Sequence, residues 1–258
     1  MLFDSHAHLD DKKIYADLEG VLQRAEEAGV TRIATIGCDW PSSLMSVRLA
    51  EKYPGRVFAT VGIHPQDAET LNEPILEKLY RLAQAEAASA VGEIGLDYHY
   101  DGPSREIQQK AFRRQIDLAK QLSLPIAIHN RESHEDMMRI IKQEKAGVNG
   151  GVLHCFSGSW EMAKFCLNQG FMISFAGPVT FHNARSAVEV AQKAPADMIL
   201  VETDSPYLSP EPFRGKTNEP ARVKYVAEKL AELRGVDFET LAWQTTENAL
   251  RLYHIDGK

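Results

Sequence analysis

The sequence predicts a (β/α)8 barrel of the metal-dependent hydrolase type, and three observations lead there. Eight short apolar runs alternate with longer segments of helical period. Such alternation implies parallel strands joined by crossover helices, and eight units suffice to close a barrel. The stretch after the first run, "SHAHLDD", lacks the glycine-rich phosphate turn expected of the alternative architecture, an open doubly wound sheet.

The first run is "LFDSH", followed by the helical "DLEGVLQRAEEAG", with Gly29 as its stop. "TRIATIG" precedes a helical segment over 41–53, and "RVFATVGIH" precedes "PILEKLYRLAQAEA". The fourth run is "SAVGEIGLD". After it, "SREIQQKAFRRQIDLAKQLS" offers Ser104 as a cap and places Ile107, Ala111, Ile116, Ala119 and Leu122 toward one face. "LPIAIH" is paired with "EDMMRIIKQEKA", "GGVLHCF" with "SWEMAKFCLNQG", and "FMISFAG" with "NARSAVEVAQKA". The eighth run, "DMILVETD", leads through a loop to "ARVKYVAEKLAELRG", where Val223, Val226, Ala227, Leu230 and Leu233 recur at helical spacing. A further helix is expected over 237–255.

Length and composition agree with one domain over residues 1–258, without an internal linker. Hydrophobic residues make up 44% and charged residues 25%, enough for a sizeable core. The net charge of −7 argues against a broad nucleic-acid-binding coat but leaves room for a local phosphate site. Three dispersed cysteines, Cys38, Cys155 and Cys166, without a C-x-x-C, point away from a disulfide framework and toward a reducing cytoplasm. Neither a signal peptide nor an apolar stretch long enough to span a membrane is expected.

The metal-capable residues fall in register. His6 and His8 follow the first run, Glu93 lies near the end of the fourth, and His129, His154 and Asp204 end the fifth, sixth and eighth. Carboxyl ends of barrel strands meet on one rim, where barrel enzymes carry their active sites. His6 and His8, two apart on a strand, face the same way and can chelate one ion. Any one of these histidines alone also reads as an ordinary polar residue at a strand end; six ligand-capable residues in register do not. Four imidazoles and two carboxylates exceed the needs of one ion and suit two sharing a carboxylate, roughly 3.5–4 Å apart. Mixed donors accept Mg, Mn or Zn, with Ni or Fe also suitable.

The motifs "FDSHAHLD", "GEIGLDYH", "PIAIHNRES", "HCFSG" and "LVETDSPYL" closely resemble those of the TatD family of metal-dependent deoxyribonucleases, in the amidohydrolase superfamily. The likeness extends through "RGKTNEP" into the last helix. It implies that His6, His8, Glu93 and Asp204 hold one metal, that Glu93, His129 and His154 hold the other, and that Glu93 bridges. Ser133 is a small departure from the family's usual alanine or threonine. The resemblance implies release of nucleotides from DNA, and from RNA ends, by a 3′-5′ exonuclease, with nucleic acid as the substrate partner and no obligate protein partner. Asp204 is the expected proton acceptor, with Glu93 beside it in the catalytic set. The alternative keeps the metals and changes the bond, to another ester or an amide, as in a D-aminoacyl-tRNA deacylase. A non-catalytic metal-binding barrel is disfavoured because no ligand position is missing.

His64 of "GIHPQD" and Arg131 of "HNR" are expected to contact substrate phosphate, also by family likeness, and arginine's planar fork suits that ligand. A turn histidine and a surface arginine are the plainer readings. Arg214 and Lys216 in "PFRGKTNEP" belong near the rim, as backbone contacts or as a solvated loop. "RGKT" resembles the end of a P-loop, but Pro210 stands where the first glycine is needed. Tyr98 and Tyr100 in "GLDYHYD" could stack on a base or serve structure alone. Cys155 reads as a small buried apolar group. His134, His182 and His254 read as ordinary residues.

Overall fold

The computed structural model describes residues 1–255. Eight strands form one parallel sheet in sequence order: β1 (Leu2–Ala7), β2 (Val30–Ile36), β3 (Val57–Val61), β4 (Ala88–Asp97), β5 (Ile126–Arg131), β6 (Gly151–Leu153), β7 (Phe171–Phe175) and β8 (Ile199–Val201). The sheet closes on itself where Ala7 pairs with Ser205. Along that seam Asp204 N donates to His6 O at 2.8 Å and His8 N to Ser205 O at 2.8 Å. The closure bonds therefore join two segments that carry candidate ligands.

The intervening helices are α1 (Lys12–Tyr15), α2 (Leu18–Glu27), α3 (Trp40–Lys52), α4 (Glu73–Leu82), α5 (Arg105–Leu122), α6 (His134–Glu144), α7 (Trp160–Asn168), α8 (Arg185–Lys193), α9 (Val223–Arg234) and α10 (Phe238–Leu252). Their starts follow local chemistry. Ser104, Ser159 and Asp237 each accept a backbone N–H in the first turn of the helix that follows. Gly29, at φ +83°, turns the chain from α2 into β2, a conformation that glycine adopts without strain.

Two apolar layers hold the fold. Phe3, Ala34, Phe58, Ala90, Ala127, Val152, Met172 and Leu200, one from each strand, cluster with Leu252 and Tyr253 at the end of α10. The additional helix thus plugs the barrel end opposite the strands' carboxyl termini. A larger cluster lies between strands and helices and includes Ile33, Ile116, Ile173 and Leu230. Non-directional burial of this kind supplies most of the driving force for folding. Of the face expected on α5, Ala111, Ile116 and Ala119 are buried and Leu122 is partly buried. Ile107, in the first turn, is 37% exposed, which corrects the expectation for that residue. No helix among the described residues is long and apolar enough to cross a membrane.

Candidate metal centre

The strands β3, β6 and β8 stop earlier than the apolar runs suggest, so His64, His154 and Asp204 sit on the loops just beyond them. The ladder nevertheless carries them into place: His154 N donates to Ile128 O at 3.1 Å, and Glu202 N to Phe175 O at 3.0 Å. Asp204 and Cys155 then adopt positive φ, +56° and +40°. Non-glycine residues held in such conformations cluster at functional sites.

The other five expected ligands gather around Glu93, whose two oxygens divide the four imidazoles. Glu93 Oε2 faces His6 Nε2 at 3.4 Å and His8 Nε2 at 3.9 Å. Asp204 Oδ1 lies 3.7 Å and 3.3 Å from the same two nitrogens. Glu93 Oε1 faces His129 Nδ1 at 2.9 Å and His154 Nε2 at 2.8 Å. His6 lies beneath, its ring stacked on that of His154 at 3.9 Å. The others, except His6, line a rim cleft of about 780 Å³, with His64 and Arg131.

The donor set fits a cation. Both ring nitrogens of His6, and Glu202 Oε2, are buried without a hydrogen-bond partner among the described residues. An unsatisfied buried polar atom costs about 1–3 kcal/mol, and metal ligation at His6 Nε2, the nitrogen facing Glu93, would satisfy one of them. Three groups could each place three donor atoms on one ion: His6, His8 and Glu93; His64, Glu93 and His129; and His6, His154 and Glu202.

Charge is balanced locally. Burial pushes the Glu93 carboxyl up, but His154, His6 and His129 outweigh it and hold it well below the usual carboxylate range. Asp204 is likewise lowered, burial being outweighed by His8, His154 and His6. Burial lowers His6, reinforced by His154. The same carboxylates raise His8 and His154 well above the ordinary imidazole value against the effect of burial, so a divalent ion binding here would displace their protons.

Outer partners orient the rings. His129 Nε2 lies 3.1 Å from Asp97 Oδ2, and His154 Nδ1 lies 3.3 Å from Glu202 Oε1, leaving each ring's other nitrogen toward Glu93. Cys38 Sγ lies 3.6 Å from His8 Nδ1 and also donates to Glu93 Oε2 at 3.6 Å. A carboxylate behind a ligating histidine fixes its tautomer and ring plane. The sequence reading did not single out Asp97, Glu202 or Cys38 for this role. Glu202 carried a signal, since it is two residues from Asp204. Burial pushes the Cys38 thiol up to about 12 and raises that of Cys155 well above its ordinary value, so both stay protonated at neutral pH. Cys155 is half-buried at the cleft wall, more open than the core position expected of it.

His64 and Arg131 also reach the cleft. His64 Nδ1 accepts the Gln66 backbone N–H at 3.1 Å, so in the neutral ring Nε2 carries the proton. That N–H lies 3.8 Å from Glu93 Oε1, and burial pushes the imidazole down to about 4. His64 is thus a neutral donor. Arg131 donates to the Tyr100 hydroxyl at 3.0 Å, with its guanidinium over that ring. It makes no ion pair among the described residues.

A parallel eight-stranded barrel with a histidine–carboxylate cluster on the carboxyl rim defines a metal-dependent hydrolase. The chain belongs to the TatD family, since the family model described as TatD related DNase matches residues 3–254. It is 48% identical to the metal-dependent hydrolase YabD of Bacillus subtilis, over 99% of this chain and all of that one. It is 34% identical to the 3′-5′ ssDNA/RNA exonuclease TatD of Pectobacterium atrosepticum, over 98% of this chain and 100% of that one. The crystal structure of YJJV, a TatD homolog from Escherichia coli, superposes with a TM-score of 0.93 at 32% identity, covering 98% of both chains.

Proposed function

We propose that this protein hydrolyses phosphodiester bonds at the 3′ end of nucleic acid, using two divalent ions held around Glu93. The observation that carries the reading is the division of donors between the two Glu93 oxygens, with His6 and His8 on Oε2 and His129 and His154 on Oε1. In this reading His6, His8, Glu93 and Asp204 hold one ion, and Glu93, His129 and His154 the other. When bound, the ions supply a water acidified toward neutral pH and positive charge for the phosphoryl oxygens.

The remaining steps belong to the chain's own groups. Asp204, ionised and 3.3 Å from His8 Nε2, takes the proton of the attacking water at Oδ1. The neutral His64 donates from Nε2 to a non-bridging oxygen. Arg131, held by Tyr100 and free of carboxylates among the described residues, offers its fork to the same phosphate. Glu202 and Asp97 keep His154 and His129 in the required tautomers. The name of the Pectobacterium relative supports a single-stranded DNA or RNA end as substrate and 3′-5′ polarity.

Purified protein supplied with Mg, Mn or Zn should release mononucleotides from 3′-labelled single-stranded DNA. Turnover of an aminoacyl-tRNA ester without nucleotide release under any of these metals would refute the phosphodiesterase reading in favour of an ester hydrolase.

A further inference from the structure

A second cleft of about 300 Å³ opens off the metal cleft, sharing Cys155, Ser157 and Pro178 with it. It runs between the loop after β6 and the segment after β7, toward the start of α8. Phe156 and Phe181 line it, with Arg185 at the α8 end. The Arg214 guanidinium lies over the Phe181 ring, 4.3 Å from its centroid. This ties the "PFRGKTNEP" loop to the side cleft.

We propose that the side cleft is a nucleobase subsite, which takes the heteroaromatic base of the terminal nucleotide while its phosphate lies at the Glu93 cluster. This rests on the phosphodiester reading of the metal centre. Three features select a base over other occupants. The cleft adjoins the metal cleft across three shared wall residues, so one nucleotide can reach both. Its volume is at the lower end of the range that holds small ligands, right for one ring system and not for an extended chain. Its walls pair a phenylalanine face with arginines, the combination that stacks bases and receives phosphates.

Charge sharpens the choice. Arg185 and Arg214, like Arg131 across the metal cleft, form no ion pair among the described residues, although the chain as a whole carries a net charge of −7. Unpaired cations beside an apolar slot suit an anion that carries an aromatic ring. The acyl chain of a neutral ester would use the slot and leave the arginines unmatched.

Equilibrium dialysis of the full chain against 2′-deoxyadenosine 5′-monophosphate and against 2-deoxyribose 5-phosphate isolates the base. The wild type should bind the nucleotide at least fivefold more tightly, the lower end of what one stacked base contributes. Phe181→Leu, which keeps apolar bulk but removes the π face, should erase most of that preference, and Phe181→Trp should retain it. Equal affinity for the two ligands in the wild type, or an undiminished preference in Phe181→Leu, overturns the subsite. The two readings separate cleanly. A Phe181-dependent preference in a protein that releases no nucleotide from DNA keeps the subsite and removes the nuclease. Nucleotide release without a Phe181-dependent preference does the reverse.

Discussion

Asp97 offers the sharpest test of how the outer residues serve the metal centre. Its carboxylate is 2% exposed, 3.1 Å from His129 Nε2, and it also accepts the His99 backbone N–H at 2.9 Å. Burial alone would raise this carboxyl, but those two contacts hold it at about 2, so it is ionised throughout the physiological range. With Nε2–H committed to Asp97, His129 keeps Nδ1, 2.9 Å from Glu93 Oε1, as the nitrogen that a metal would take. Asp97→Asn keeps an acceptor and removes the charge, whereas Asp97→Ala removes both. Loss of an outer partner typically weakens metal binding about 10–100-fold. The expected losses are therefore about tenfold for asparagine and about a hundredfold for alanine, or about 1.4 and 2.7 kcal/mol. Competition against a chromophoric chelator measures them directly. Melting of the chelated proteins controls for folding, and the asparagine variant should melt close to wild type. Unchanged metal affinity in both folded variants would refute the assignment of Asp97 to His129.

Gly95 has φ +141°, and a Cβ there would lie 2.0 Å from His129 O, so Gly95→Ala must displace β5. It should cost at least about 2 kcal/mol in urea denaturation and weaken metal binding as well. Phe112→Ala, a fully buried truncation in α5, should cost about 3–5 kcal/mol in the same assay without altering metal affinity per folded molecule. Burial pushes the Cys166 thiol up to about 12. Its folded pKa is raised, so its contribution to stability is fully present below about pH 9 and declines as pH rises toward 12. The slope is at most about 1.4 kcal/mol per pH unit. Denaturation of wild type and Cys166→Ala between pH 8 and 10.5 should show their stability difference shrinking with pH; a constant difference contradicts the buried-thiol account.

The barrel and its six candidate ligands were legible in the sequence because two periodicities coincide. Apolar alternation marks the strands, and strand ends mark the rim, so His6, Glu93 and Asp204 could be brought together without coordinates. What escaped depends on geometry that alternation alone does not carry. Asp97 lies four residues after Glu93, and only the path of β4 turns its carboxylate to His129. Glu202 alternates with Asp204 but faces His154 from a strand that ends at Val201. The side cleft is built from Phe181 and Arg185, beyond β7, where no period specifies the chain's course. Ile107 kept the helical period yet lies in the first turn of α5, where its side chain remains 37% exposed.

The central claim is that two ions around Glu93 make this chain a phosphodiesterase. It is tested most directly by stripping the protein with chelator, restoring Mn in steps, and measuring bound metal and nucleotide release on the same samples. The account predicts no release from stripped protein, two ions per chain at saturation, and activity that rises as the second ion fills. Full activity in the metal-free protein, or saturation at one ion with full activity, would contradict it.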